Sequence, residues 1–94
     1  MNLLEQLSTR QLNKEEAMPW ELLLDADPSM DAIAKYLDAS DIYIAVLNEE
    51  IVGTFVLYPI DTTRIEIKNI AVLEQFQGKG IGQWLLKEAS SIAY

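Results

Sequence analysis

The stretch Glu66-Ile67-Lys68-Asn69-Ile70-Ala71-Val72-Leu73-Glu74-Gln75-Phe76-Gln77-Gly78-Lys79-Gly80-Ile81-Gly82-Gln83-Trp84 changes its period twice, and the fold follows from those changes. Ile65, Ile67, Ile70 and Val72 supply the β-branched bulk of a strand. Glu74 to Gln77 is a short polar turn, and Gly78-Lys79-Gly80-Ile81-Gly82 is a run of alternate glycines. Beyond it, Ile81, Leu85, Ala89 and Ile92 recur at three- and four-residue spacing, the period of a helix face. Strand, glycine loop and helix in that order form an anion-binding device. Glycine lets the backbone come close to a ligand, and a helix N-terminus offers unpaired N–H groups and partial positive charge. Lys79 adds a mobile cation at the same place. The ligand these features fit is a phosphate, and a diphosphate suits the length of the loop.

Three phosphate-loop designs are separable by spacing. The dinucleotide fingerprint needs G-x-G-x-x-G, whereas the glycines here read G-x-G-x-G. The Walker loop needs Gly-Lys followed by Ser or Thr, and the chain has neither. The pattern Q/R-x-x-G-x-G/A is met by Gln75-Phe76-Gln77-Gly78-Lys79-Gly80. With Ile70-Ala71-Val72 before it and I-G-x-x-L-L after it, this segment resembles the pyrophosphate loop of the GNAT-family N-acetyltransferases, which bind acetyl-CoA. The plain alternative is a glycine-rich turn that only starts a helix. Against it, alternate glycines weaken a first helical turn unless something must approach closely.

The 94 residues allow one small domain, with 50% hydrophobic and 23% charged residues as in a globular protein. Cysteine and histidine are absent. No run approaches the roughly 20 apolar residues that span a bilayer, and no basic-then-apolar leader opens the chain, so the expectation is a cytoplasmic protein without a membrane partner. Net charge is −8, and all of it falls in residues 1–50, where eleven acids face Arg10, Lys14 and Lys35. Residues 51–94 are balanced, as an anionic cosubstrate requires. The acidic half argues against nucleic acid, whose binding depends on phosphate neutralisation, and is compatible with a cationic amine. More often such acids are simply a solvated surface.

In chain order, Leu3, Leu4 and Leu7 suggest a helical turn, while Leu7 to Leu12 also reads as a strand. Glu15 to Asp25 is expected to be a helix with Pro19 in its first turn and Trp20, Leu23 and Leu24 on its apolar face. Asp27-Pro28 restarts the chain as cap and first helical residue, with Met30, Ile33, Ala34 and Leu37 as one stripe. Strands follow at Ile42 to Leu47, Ile51 to Tyr58 and Arg64 to Val72, joined by turns at Asn48-Glu49-Glu50 and Asp61-Thr62-Thr63. The expected fold is α+β (α/β in the broad sense): two helices, an antiparallel strand meander, then the phosphate loop and a last helix. That is the order of the first half of a GNAT domain. The resemblance covers Leu12 to the end and implies a single truncated or split domain over residues 1–94, with the cofactor-binding loop at 75–83.

The resemblance also implies roles. Main-chain groups of Ile70, Ala71 and Val72 would meet the pantetheine arm as an added strand does, and would supply the oxyanion donor. Gly78, Lys79, Gly80, Ile81, Gly82 and Gln83 would line the diphosphate. Glu66 stands where the histone-acetylating branch of the family carries its catalytic glutamate, and as a base would take a proton from the amine. Its structural alternative is a surface carboxylate paired with Lys68 or Arg64. The family's usual tyrosine acid has no counterpart here: Tyr43 and Tyr58 read as strand aromatics, and Tyr94 is at a different position. The implied activity is acetyl-CoA-dependent N-acetylation of a small-molecule or peptide amine, without a metal. The alternative is a non-catalytic acyl-CoA-binding or dimerisation module. A chain of this length leaves the edge of the last strand and apolar residues around Trp84, Leu85, Leu86 and Ile92 open, which predicts a homodimer through that edge and helix.

Overall fold

In the computed structural model, residues 3–93 are described; Met1, Asn2 and Tyr94 lie outside them. A 3-10 turn at Leu3–Gln6 leads into β1 (Ser8–Gln11), followed by α1 (Trp20–Ala26), α2 (Met30–Leu37), β2 (Asp41–Leu47), β3 (Glu50–Pro59), β4 (Ile65–Val72), a 3-10 turn at Glu74–Phe76 and α3 (Ile81–Ala93). The strands form one antiparallel sheet in the order β1-β2-β3-β4. This is the α+β order read from the sequence, with the strand alternative for Leu7 to Leu12 realised as β1. β1 carries few buried side chains and is held by its ladder to β2, from Ser8↔Val46 to Gln11↔Tyr43.

Helices cover both faces of the sheet. On one face α3 packs Ile81, Leu85 and Ala89 against Val52, Phe55, Leu57 and Val72. Tyr43 and Phe55 stack there with ring centroids 5.0 Å apart. A Cβ at Gly53 would stand 2.9 Å from Leu85 Cδ1 and 3.0 Å from the Ala71 carbonyl oxygen, so only glycine lets α3 lie this close. On the other face, Leu23 of α1 and Ile33 and Leu37 of α2 close over Val56.

Local chemistry moves several boundaries from their expected places. α1 begins at Trp20 rather than Glu15, because Pro19 occupies the N-cap and disfavours helical geometry in the residue before it. Glu16 instead accepts from Arg10 at 2.6 and 2.9 Å and from the Asn13 N–H. Leu22 and Leu23 are the buried residues of α1, while Trp20 is exposed. α2 is capped by Ser29, not Asp27: Ser29 Oγ accepts from the Ala32 N–H at 3.1 Å. Asp27 is spent on closing α1 through its own N–H to Leu23 O. Met30 and Ala34 leave the expected stripe for solvent, and Ile33, Leu37 and half-buried Tyr36 face inward. The β2–β3 turn places Asn48 and Glu49 at φ of 50° and 69°, the left-handed pair that suits hairpin twist.

The register slips in β4. Val56 faces Asn69 and Leu57 faces Ile67, so Lys68 is an extra residue without a partner on β3.

Candidate anion-binding loop and groove

The end of β4 is tied down before the loop begins. The Leu73 N–H donates to Val52 O at 2.9 Å, and the 3-10 turn closes with Phe76 to Leu73 O and Gln77 to Glu74 O. The Gln77 side chain folds back and donates through Nε2 to Val72 O at 3.0 Å. The backbone then passes through Gly78 at φ 77° and Gly80 at φ 86°. Any other residue would cost about 1–2 kcal/mol at each of these left-handed positions. A Cβ at Gly78 or Gly82 would meet no protein atom within 4 Å. The glycines therefore leave open space in front of the main chain.

The first helical bond after the loop runs from the Trp84 N–H to Gly80 O at 3.1 Å. None of the backbone N–H groups from Gly78 to Gln83 donates to an acceptor among the described residues. These groups are the orphan donors expected at a helix start. Lys79 is exposed beside them and in no ion pair among the described residues. Ile81 turns its side chain into the core at 1% exposure, so only its main chain faces the loop. Unpaired N–H groups, a helix N-terminus and a free ammonium together attract an anion.

An open groove of about 280 Å³ adjoins the loop, lined by Asp25, Ala26, Ile70, Ala71, Val72, Gln77 and Gly82. The Leu73-to-Val52 bond sets the alternation of the β3–β4 ladder. By that alternation Ala71 turns its N–H and C=O toward β3, and Ile70 and Val72 turn theirs to the outer edge. The Gln77 amide already takes the Val72 carbonyl. Of the residues expected here from the sequence, Ile70, Ala71, Val72 and Gly82 line the groove, and Gly78, Lys79, Gly80, Ile81 and Gln83 are not in its lining. Asp25 and Ala26 were not expected; they arrive through the packing of α1 on β4, which no local pattern announces.

Glu66 is not in this groove. It lies opposite Tyr58 near the start of β4, exposed, with Oε2 3.0 Å from Lys68 Nζ. Ile70 is four residues further along, about 13 Å of strand. Glu66 borders a separate groove with Ile60, Thr63, Arg64, Ile65 and Ile67. The apolar surface expected around Trp84 is broken up as well: Leu85 is fully buried and Trp84 half-buried against the core, leaving Leu86 and Ile92 exposed. Among the described residues no His, Cys, Asp or Glu cluster is arranged to hold a metal ion, and no helix is long and apolar enough to cross a membrane.

Comparison with known proteins bears on the whole arrangement. The profile of the Acetyltransferase (GNAT) family matches residues 4–94. A Bacillus subtilis (strain 168) protein described as an uncharacterized N-acetyltransferase, YvbK, is 41% identical over 70 residues, which is 74% of this chain and 45% of that one. A GNAT family acetyltransferase from Elizabethkingia anophelis, solved with acetyl-CoA bound, superposes with a TM-score of 0.87 at 45% identity, covering 90% of this chain and 56% of its own. An acetyltransferase of Bacillus subtilis solved with CoA gives a TM-score of 0.77 at 33% identity, over 92% of this chain and 59% of its own. The chain thus spans about half the length of these relatives. The strand, glycine loop and helix that the residues build are those of a known fold, and the chain belongs to the GNAT acetyltransferase family.

Proposed function

We propose that this chain binds acetyl-CoA and takes part in acetyl transfer to an amine. The observation that carries the reading is the row of undonated N–H groups from Gly78 to Gln83, opening onto the groove where Ile70 and Val72 present outward main chain. The N–H groups of Gly78, Lys79, Gly80, Ile81, Gly82 and Gln83 hold the diphosphate, with the Lys79 ammonium beside them. Ile70 and Val72 align the pantetheine arm along the β4 edge, and the small side chains of Ala71 and Gly82 leave room for it. Acetyl-CoA supplies an activated acyl group on a thiol leaving group. The N–H groups at Ile70 and Val72 are the donors best placed to meet the carbonyl oxygen as it gains charge.

Glu66 is proposed as the base that takes the amine proton, directly or through water. Its exposure leaves it accessible, and Lys68 is the partner it gives up when an amine arrives. We also propose that the outer edge of β4 from Glu66 to Lys68, clear of the pantetheine arm and beside no other strand among the described residues, pairs with a second copy of the chain.

Isothermal titration with CoA tests the binding half. The expected result is one site per chain, lost in Gly80→Val, because a β-branched residue does not hold the φ of 86° that shapes the loop. Unchanged affinity in a folded Gly80→Val variant would refute the role of the loop. Acetylation of a panel of amines in the presence of acetyl-CoA tests the transfer half. CoA binding without acetylation of any member would assign the chain to acyl-CoA binding alone.

A further inference from the structure

A second groove, of about 460 Å³, lies on the face of the sheet that carries α1 and α2, lined by Asp27, Ala32, Lys35, Tyr36, Tyr58 and Lys68. The β4 bulge contributes Lys68 to it. The extra residue Lys68 turns to the same side as Asn69, and its ammonium sits 5.4 Å from the Tyr58 ring centroid and 6.0 Å from that of Tyr36.

The hydrogen bonds around this groove are incomplete. Asn69 is 5% exposed, and its Nδ2 donates to Leu23 O at 3.2 Å and to Tyr36 Oη at 3.1 Å. A carbonyl oxygen only accepts, so the bond to Leu23 fixes which way the amide faces. Tyr36 Oη is therefore an acceptor in its own bond, and its proton has no taker among the described residues. Asn69 Oδ1 is buried without a partner. Of the carboxylates nearby, Glu66 holds Lys68 at 3.0 Å, while Asp27 accepts through Oδ1 from the Ser29 main-chain N–H at 3.2 Å. Lys35 is in no ion pair among the described residues. Among the described residues the lining groups left free are the Lys35 ammonium, the Tyr58 hydroxyl and the Tyr36 hydroxyl proton, and on the acceptor side Asp27 Oδ2. The lining sets Lys35 and Lys68 against Asp27, one positive charge in excess in a chain of net charge −8, and between its two aromatic rings it favours an anion.

We propose that this groove takes the carboxylate of the acetyl acceptor, held by Lys35 and Tyr36 with Lys68 beside them, so that the substrate class is amino acids and their small derivatives. The proposal rests on the acetyl-transfer reading for the reaction itself. Lys68 is two residues from Ile70, about 7 Å of strand. A molecule of amino-acid size reaches from this groove toward the outward main chain at Ile70. The acidic first half of the chain suggested a cationic substrate; the free groups at this groove point to one that carries an anion as well.

The test uses the full chain, with N-acetylphenylalanine and its carboxamide as probes, followed by titration calorimetry and amide chemical shifts, and with CoA titrated separately. The acid is expected to bind about tenfold or more tightly than the carboxamide, as hydrogen bonds to a charged group imply. Lys35→Ala, at an exposed position that leaves the core intact, and Tyr36→Phe are each expected to weaken the acid by about five- to tenfold and to leave CoA affinity unchanged. Equal affinity for acid and carboxamide, no binding of either, or an unaltered acid affinity in Lys35→Ala overturns the proposal. Displacement of the acid by CoA assigns the groove to the cosubstrate's phosphates and overturns it too. If CoA fails to bind while the acid binds as expected, the transferase reading falls and the carboxylate groove stands.

Discussion

Gly82→Ala separates folding from ligand binding, because the two effects have opposite signs. Gly82 lies in the first turn of α3 with no positive φ, and a Cβ there meets nothing within 4 Å. Alanine is the better helix former by about 0.5–1 kcal/mol, so the variant should be more stable than the parent. For a chain of this size that corresponds to a rise in Tm of about 2–8 °C. The same methyl group projects into the space in front of the undonated N–H groups. Displacing a phosphate oxygen from one such donor forfeits about 1.5–3 kcal/mol, a loss of about tenfold or more in CoA affinity. Thermal unfolding by circular dichroism and CoA titration on the same sample read both quantities. A higher Tm with unchanged CoA affinity would refute the argument that Gly82 is glycine for the sake of a ligand. A lower Tm would show that the residue is not in an open helical turn at all.

Other perturbations test separate parts of the structure. Glu66→Gln should lower acetyl transfer by about 10²–10⁴-fold and leave CoA affinity intact; a loss below about tenfold at every pH returns Glu66 to a surface pair with Lys68. Gly53→Ala forces a Cβ to within 2.9 Å of Leu85 Cδ1 and 3.0 Å of the Ala71 carbonyl oxygen. It should destabilise by about 1–3 kcal/mol in urea unfolding, and a neutral result would mean that α3 is free to shift off the sheet. The Arg10 guanidinium, with the Asn13 N–H, holds Glu16 down from the usual 4.5 to about 2. A carboxyl depressed in the folded state stabilises above its unfolded value, so this contribution is present above pH 4.5 and is lost as pH falls toward about 2. Arg10→Gln should flatten the acid limb of a Tm–pH curve over that window, and an unchanged limb refutes the pairing. For the open β4 edge, sedimentation equilibrium at micromolar concentration should give twice the chain mass; a monodisperse monomer removes the dimer.

The loop was readable in the sequence because its residues are the ones its geometry demands. Left-handed φ values at Gly78 and Gly80 exclude most other side chains, so the chain states them openly. The three longer strands were readable for a related reason: β-branched and aromatic residues fill pleated, buried positions in Ile42 to Leu47 and Ile51 to Tyr58. β1 was readable only as one of two alternatives for Leu7 to Leu12, since Ser8–Gln11 buries little and is stabilised by the ladder it joins. The start of α1 was misplaced because helical spacing persists through Glu15 and Glu16, while Pro19 decides the boundary. Asp25 and Ala26 reached the groove through the angle at which α1 crosses β4, a property of packing that has no local signature.

The bulge at Lys68 lies between these cases, and it explains how one strand serves two grooves. Ile65 and Ile67 face the α3 core, and so do Ile70 and Val72, although odd and even positions of an unbroken strand face opposite sides. The apolar pattern therefore changes phase between Ile67 and Ile70, and the extra residue absorbs the change. Without it, Ile70 and Val72 would point away from α3, and the main chain that lines the first groove would lose its anchorage in the core. With it, Lys68 and Asn69 both turn to the side of α1 and α2, next to Tyr36 and Tyr58. A single inserted residue thus fixes the outward main chain proposed to meet acetyl-CoA and sets a cation and a buried amide beside the neighbouring groove. Deleting Lys68 should restore simple alternation and disturb both grooves together, whereas Lys68→Met keeps the backbone count and should alter only the second. If the deletion and the substitution have the same effect on CoA affinity, the bulge is not what couples the two sites.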